Sequence, residues 1–403
     1  MHCVNSLVKV KEITLRHFFR AVTTLQADKN QRYDNRRRYY YHNFSNIRNY
    51  QQVAAIKPAI TANDRKSFMD MFPTIVEDLK EIAAKYNKSP APEWFERSIR
   101  YNVSHGKNNR GLLTILAFKE LATESQLTPE NMRRAQCLGW CTELLVGSLL
   151  ALDDMVDSSE TRRKQPCWYK LEDVGLQAIN DCLMIENAVY FLVDKYFSDT
   201  DYHMKLLELY REATFATSIG QVLDYQASRE NVTTFTMDKY KAICRTKSSY
   251  GTFSLPVFMA MFMCGITDPQ AYKETDDILF EICYYFQTQN DFEDCYGDPK
   301  ATGRVGTDIE DNRCTWMSVI AVEKANEEQK RILQESYGQR DPEKAAKVRQ
   351  VYNELGMVNL FATYEEDSYN YIKNMINIKS RSLKPDMFLR IWEQFYRKIA
   401  VKQ

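Results

Sequence analysis

From residue 61 onward the apolar side chains recur at the spacing of an α-helix, and little in the sequence interrupts them. Phe68, Met71, Phe72, Ile75, Val76, Leu79 and Ile82 follow one another three or four apart, the signature of one buried helical face. The 403 residues include only 13 glycines and 11 prolines, well under the average usage of roughly 7% and 5%. A chain so poor in turn formers is a weak candidate for an all-β or repeat fold. No strand alternation, internal repeat or Pro/Ser linker stands out after residue 61. The expected fold is all-α, one large helical domain over 61–403.

Individual helices are legible too. Thr128, Pro129 and Glu130 read as a helix start, a capping hydroxyl followed by proline at the first helical position. The absence of proline before Pro166 predicts one helix from Pro129 to about Asp157. Further helical runs are expected at 175–198, 203–226, 236–265, 270–296, 312–337, 342–376 and 385–400. Residues 1–60 differ: the first fifty hold ten Lys and Arg against three Asp and Glu, and RRRYYYHNF is low in complexity. This segment is expected to be a basic extension, either a mitochondrial presequence or a disordered tail. The corresponding localisation is mitochondrial or cytoplasmic.

Composition excludes several classes. Fifty-four basic residues balance fifty-four acidic ones, so nucleic acid, which needs a basic excess, is not an expected partner. Ten scattered cysteines form no CxxC pair and five histidines never cluster, which reads as free thiols in a reducing compartment without zinc. No apolar run reaches the roughly 18 residues of a membrane span; Leu255–Ile266 comes nearest.

Two acidic blocks carry the chemistry. In LLVGSLLALDDMVDSSETRRKQPCWY (144–169), Asp153 and Asp157 are four apart and share one helix face, with Asp154 beside them. Carboxylates leaving an apolar helix are costly unless compensated. A hard divalent cation such as Mg²⁺, held by one or two carboxylates plus substrate phosphates, compensates them. Arg162 and Arg163 follow, suited to diphosphate oxygens. In YYFQTQNDFEDCYGD (284–298) a second apolar helix ends in Asn290, Asp291 and Asp294. A third cluster, HGKNNRG (105–111), places Lys107 and Arg110 on a glycine-bounded loop as a second phosphate site.

These motifs, together with GQVLD (220–224), the lysine of RTKSS (Lys247) and GDPKATGRVGTDIEDNRCTW (297–316), resemble the trans-isoprenyl diphosphate synthase family, on its eukaryotic farnesyl diphosphate synthase side. The resemblance spans roughly 65–398. It implies an all-α bundle, about three Mg²⁺ ions, a prenyl diphosphate substrate and a homodimer. It makes Asp153, Asp154, Asp157, Asn290, Asp291 and Asp294 the metal set, and Asp153, Asp157 and Lys247 the catalytic residues. Arg162, Lys247 and Arg304 would contact the allylic diphosphate, and Lys107, Arg110 and Arg163 isopentenyl diphosphate. Gln287 and Arg313 complete the diphosphate-binding set.

Three departures from the family pattern bear on the reaction. Asn290 stands where the second acidic motif usually begins with aspartate. Val146 replaces a glutamine beside the isopentenyl diphosphate site. Ser148 and Leu149 replace the bulky aromatic pair that limits chain length, and with Val146 and Phe286 they are expected to line a deeper pocket. The family's basic C-terminus is reduced to Arg397 and Lys398 ahead of IAVKQ. The reading that follows is a Mg²⁺-dependent terpene synthase of insect type, a lyase that ionises farnesyl diphosphate to a sesquiterpene. The alternative is a farnesyl (or longer) diphosphate synthase, a transferase that condenses isopentenyl diphosphate with an allylic diphosphate.

Overall fold

The run of apolar residues after position 61 folds as the first helix of a bundle, α1 (Ala62–Ala84), closed at its start by a capping box between Thr61 and Asp64. The computed structural model describes residues 60–298, 302 and 305–396. The basic segment read as a presequence or tail, together with Arg304, Arg397 and Lys398, lies outside them. α2 (Ala91–Val103) and α3 (Asn109–Leu121) lead to α4 (Pro129–Val156), where the Thr128 side chain accepts from the Asn131 N–H and Pro129 opens the helix. At 28 residues α4 is about 42 Å long. It ends at the first acidic block.

A short hairpin follows, β1 (Thr161–Arg162) against β2 (Gln165–Pro166). α5 (Gln177–Phe197) and α6 (His203–Ala227) form the next pair. The predicted helix 236–265 is three pieces: α7 (Met237–Ile243), a π-helical segment (Cys244–Ser254) and α8 (Leu255–Met263). α9 (Pro269–Tyr296), again with proline in its first turn, ends at the second acidic block. The predicted 312–337 is split into α10 (Trp316–Lys324) and α11 (Glu327–Ser336), and 342–376 into α12 (Pro342–Glu354) and α13 (Met357–Lys379). α14 (Pro385–Phe395) closes the described chain. The fold is all-α, as the periodicity demands.

The main core is built on α1, α3, α4, α5, α8 and α9, with Trp140 stacked on Phe68 (centroids 4.4 Å apart) and its indole N–H donating to the Phe68 carbonyl. A second core joins α7, the end of α9 and α10–α13 around Phe292, Trp316 and Phe361. α4 is long and apolar enough to cross a membrane, contrary to the reading that no segment qualifies, but 78% of its apolar stretch is buried in the bundle. That makes it the central core helix. All nine described cysteines are free, most of them buried.

Candidate active site

The C-terminal turn of α4 delivers Asp153 and Asp157 to a cluster of cations. Lys247, on the π segment, donates to Asp153 at 3.0 Å and to Asp224 of α6 at 2.6 Å. Arg313, 13% exposed, pairs with Asp157 and donates to the same Asp224 oxygen. Arg162 on β1 clasps Asp154 through Nε and Nη2 and approaches Asp153 at 3.7 Å. Burial drives the Asp153 carboxyl up, but Lys247, Arg313 and Arg162 pull it back below the ordinary carboxylate range. Asp157 ends at about 6, raised by burial and then by Asp153, against the pull of Arg313 and Lys247.

The end of α9 lies against the same π segment. Ser248 donates to Gln287 at 3.3 Å, and the Gln287 amide donates to Asp291. Asp294 accepts the Asp308 backbone N–H at 3.0 Å, so the loop that carries Arg313 to Asp157 also touches the second acidic block. The two acidic helix ends therefore flank one site. Asp154 and Asp291, expected among the metal ligands, meet protein partners in this structure, as Asp153 and Asp157 do. Asp154 faces Arg162, and the buried Asp291 accepts from Gln287 and the Trp316 N–H. Burial lifts Asp291 to about 6.

The second basic cluster differs from its reading as a loop. Arg110 is in the first turn of α3, not in a loop, while Lys107 is in the exposed turn before it. Arg110 Nε donates to Thr252 at 3.1 Å. Arg163 donates to the Asn102 and Val103 carbonyls at the C-terminal end of α2, where a cation is favoured. Arg163 and Lys164 are the two central residues of the β1–β2 turn, at φ 54° and 68°. Such a turn favours Asn-Gly, and two non-glycine residues there cost on the order of 1–2 kcal/mol each. The bonds to α2 offset that cost for Arg163.

The residues expected to line a deep pocket are packed between helices, Leu149 and Phe286 only in part. Ser148 is fully buried and donates to the Cys182 carbonyl on α5 at 3.1 Å, a helix-packing role. Val146 is buried, Leu149 packs on the core, and Phe286 meets Phe253 and Phe395 edge-on. Sequence reasoning missed Asp224, Glu143 and Thr252. GQVLD holds Asp224, but a single helical aspartate carried no signal of its own.

Mg²⁺ fits the donor set. Asp153 and Asp157 supply oxygens from one helix face, and among the described residues no three acidic, Cys or His side chains enclose a point on their own. An ion that draws much of its shell from substrate phosphates needs no such cage.

An all-α bundle with two acidic helix ends around one site and two separate sets of arginine and lysine defines an enzyme that acts on prenyl diphosphates. The chain belongs to the polyprenyl synthetase family, whose model matches residues 92–355. It is 40% identical over 345 residues to a farnesyl pyrophosphate synthase of Nezara viridula, covering 85% of each chain. To the farnesyl pyrophosphate synthase of Gallus gallus it is 38% identical, covering 89% of this chain and 99% of that one. The solved T. brucei farnesyl diphosphate synthase complexed with risedronate matches with a TM-score of 0.77 and 27% identity, over 83% of this chain and 99% of that one.

These relatives overturn the terpene synthase reading. At about 40% identity over most of the chain, they carry the name of the condensing enzyme. The departures at 146, 148, 149 and 290 do not imply a different reaction: Ser148 serves helix packing, and Arg110 and Arg163 are both held by protein partners.

Proposed function

We propose that the chain is a farnesyl (or longer) diphosphate synthase, a transferase that condenses isopentenyl diphosphate with an allylic diphosphate. The observation that carries this reading is the presence of two distinct cationic sets. Lys247, Arg162 and Arg313 surround the carboxylates of α4, while Arg110 and Arg163 are fixed separately by Thr252 and by the end of α2. An enzyme that uses one diphosphate has no need of the second set.

In this reading Asp153 and Asp157, with Asp294 and the amide oxygen of Asn290, would hold Mg²⁺, which would supply Lewis-acid charge for a departing diphosphate. Lys247, Arg162 and Arg313 take the diphosphate oxygens as the allylic carbon–oxygen bond breaks and the electron pair leaves with them. Lys107, Arg110 and Arg163 hold isopentenyl diphosphate so that its double bond meets the allylic cation. A carbon–carbon bond forms, and the departed diphosphate takes the proton whose loss restores a double bond.

A homodimer is part of the proposal. Nine of the fourteen exposed large apolar side chains among the described residues lie on α5, α6 and their flanks. Ile179, Leu183 and Phe191 form one stripe, and Phe215, Ile219 and Val222 another. Tyr190 meets Thr214 between the two helices.

Product analysis tests the reaction: purified protein, Mg²⁺ and geranyl diphosphate, with and without isopentenyl diphosphate. The expected result is farnesyl diphosphate, dependent on isopentenyl diphosphate and lost in Asp153→Asn. A wild-type protein that never lengthens the allylic chain overturns it.

A further inference from the structure

The start of α3 is capped by a residue from another helix. Glu143, on α4 and 2% exposed, accepts the N–H groups of Arg110 at 3.1 Å and Gly111 at 2.9 Å through one oxygen. These are the donors a local N-cap side chain would normally satisfy. Here the N-cap residue is Asn108, at φ 51°, and its side chain makes no cap bond.

The same contact locks the helix in place. A Cβ on Gly111 would come within 2.9 Å of the Gly139 carbonyl and 2.5 Å of the Phe68 ring. α3 and α4 therefore meet backbone to backbone, and the first turn of α3 cannot slide. From that fixed turn the Arg110 side chain crosses to the buried Thr252, whose hydroxyl accepts from Nε. Among the described residues, the Arg110 terminal nitrogens have no protein acceptor. Burial pushes the guanidiniums of Arg110 and Arg163 down from their ordinary range, Arg162 disfavours the first and Arg110 and Arg162 the second, and Glu143 is the first charge opposing this in both.

We propose that Glu143, with Thr252 as second anchor, is the positioning residue of the isopentenyl diphosphate subsite. It sets the direction of Arg110 from below and lets two like charges face one diphosphate. This role rests on the condensation reading given above.

The test uses the full chain with Mg²⁺ and measures KM for isopentenyl diphosphate and for geranyl diphosphate separately in E143Q and T252V. T252V removes a hydrogen bond from a charged group, worth about 1.5–3 kcal/mol, and E143Q keeps an accepting oxygen but removes the charge that opposes the two buried guanidiniums, so KM for isopentenyl diphosphate is expected to rise about tenfold or more in each variant. KM for geranyl diphosphate is expected to stay within about twofold, since its cations are held by Asp224 and Asp154. An unchanged KM for isopentenyl diphosphate, or an equal rise for both substrates, overturns the role of Glu143 while the condensation reading stands. A wild type that does not use isopentenyl diphosphate sinks that reading and this role with it. If E143Q does not fold, E143D, which keeps the charge but shortens the reach to the Arg110 and Gly111 N–H groups, is read by the same two KM values, with T252V reporting the side-chain anchor alone.

Discussion

Asp224 accepts from both Lys247 and Arg313, the two cations that also reach Asp153 and Asp157. Counting Asp153, Asp154, Asp157 and Asp224 against Arg162, Lys247 and Arg313 leaves 4 − 3, one net negative charge at the end of α4. Such a site is preorganised yet still attracts a divalent cation. The opposite wall is weaker, because Asn290 presents a neutral amide one turn before Asp294. Restoring a carboxylate there adds a unit charge at close range, worth about 1 kcal/mol even in a watery environment. Asn290→Asp is therefore expected to lower the Mg²⁺ concentration for half-maximal activity about fivefold, read from a magnesium titration at saturating substrates. An unchanged midpoint would show that position 290 does not face the metal.

The π segment is what aims Lys247, and it depends on a neighbour. A Cβ on Gly220 of α6 would fall 2.2 Å from the Lys247 nitrogen and 2.4 Å from its Cα, so only glycine lets the two helices approach this closely. Gly220→Ala pushes the segment away from Asp153. Misplacement by about 1 Å costs on the order of a hundredfold in rate, and the overpacking costs about 1–3 kcal/mol of stability. The expected outcome is a collapse of kcat with a folded protein by circular dichroism; near-normal kcat would mean Lys247 tolerates displacement. The π segment itself was invisible to periodicity, since CRTKSSYGTFS lacks proline and its one glycine is not at a break. Other breaks between helices do carry local signals: Asn326 and Gln329 form a capping box, and Gly356 sits at φ 66° between α12 and α13. By contrast, α4 was legible nearly to the residue because Thr128 and Pro129 are local signals. The start of α3 was not legible, because its cap comes from Glu143, far away in the chain. The two acidic blocks could be read from spacing alone, whereas the commitment of Asp154 and Asp291 to protein partners depends on tertiary neighbours. A pH effect also belongs at this level. Glu274 in α9 accepts from Gln270 and from the Arg381 and Ser382 N–H groups before α14, and these bonds hold it at about 2, below the usual 4.5. A depressed folded-state value means stability that is present above pH 4.5 and lost as pH falls toward 2. Glu274→Gln is expected to lower stability at pH 7 by about 1 kcal/mol or less, given solvent screening. Urea unfolding should show the gap closing between pH 4.5 and 2; a gap independent of pH would assign it to packing.

For the whole molecule, the question is what covers the face of α5 and α6. Elsewhere among the described residues the exposed large apolar side chains stand singly, as in folded proteins generally, but here Phe215 is 62% and Leu183 51% exposed among neighbours of the same kind. A concentration of exposed apolar side chains marks an association surface, and a face joined to its own copy about a twofold axis is the commonest solution. α6 is also the helix that carries Gly220 and Asp224 on its other side, so the face that would meet a second copy backs directly onto the residues that seat Lys247 and Arg313. Association would thus stiffen the wall of the site without contributing a residue to it. Burying a phenylalanine side chain is worth about 1.5–3 kcal/mol, and placing a charge there instead adds a desolvation penalty. The pair Phe215→Asp and Ile219→Asp is therefore expected to convert a dimer to a monomer in sedimentation velocity at micromolar concentration, with the helical circular dichroism retained. If the wild type already sediments as a monomer at those concentrations, the stripes have another occupant and the stiffening of α6 by a second copy is wrong.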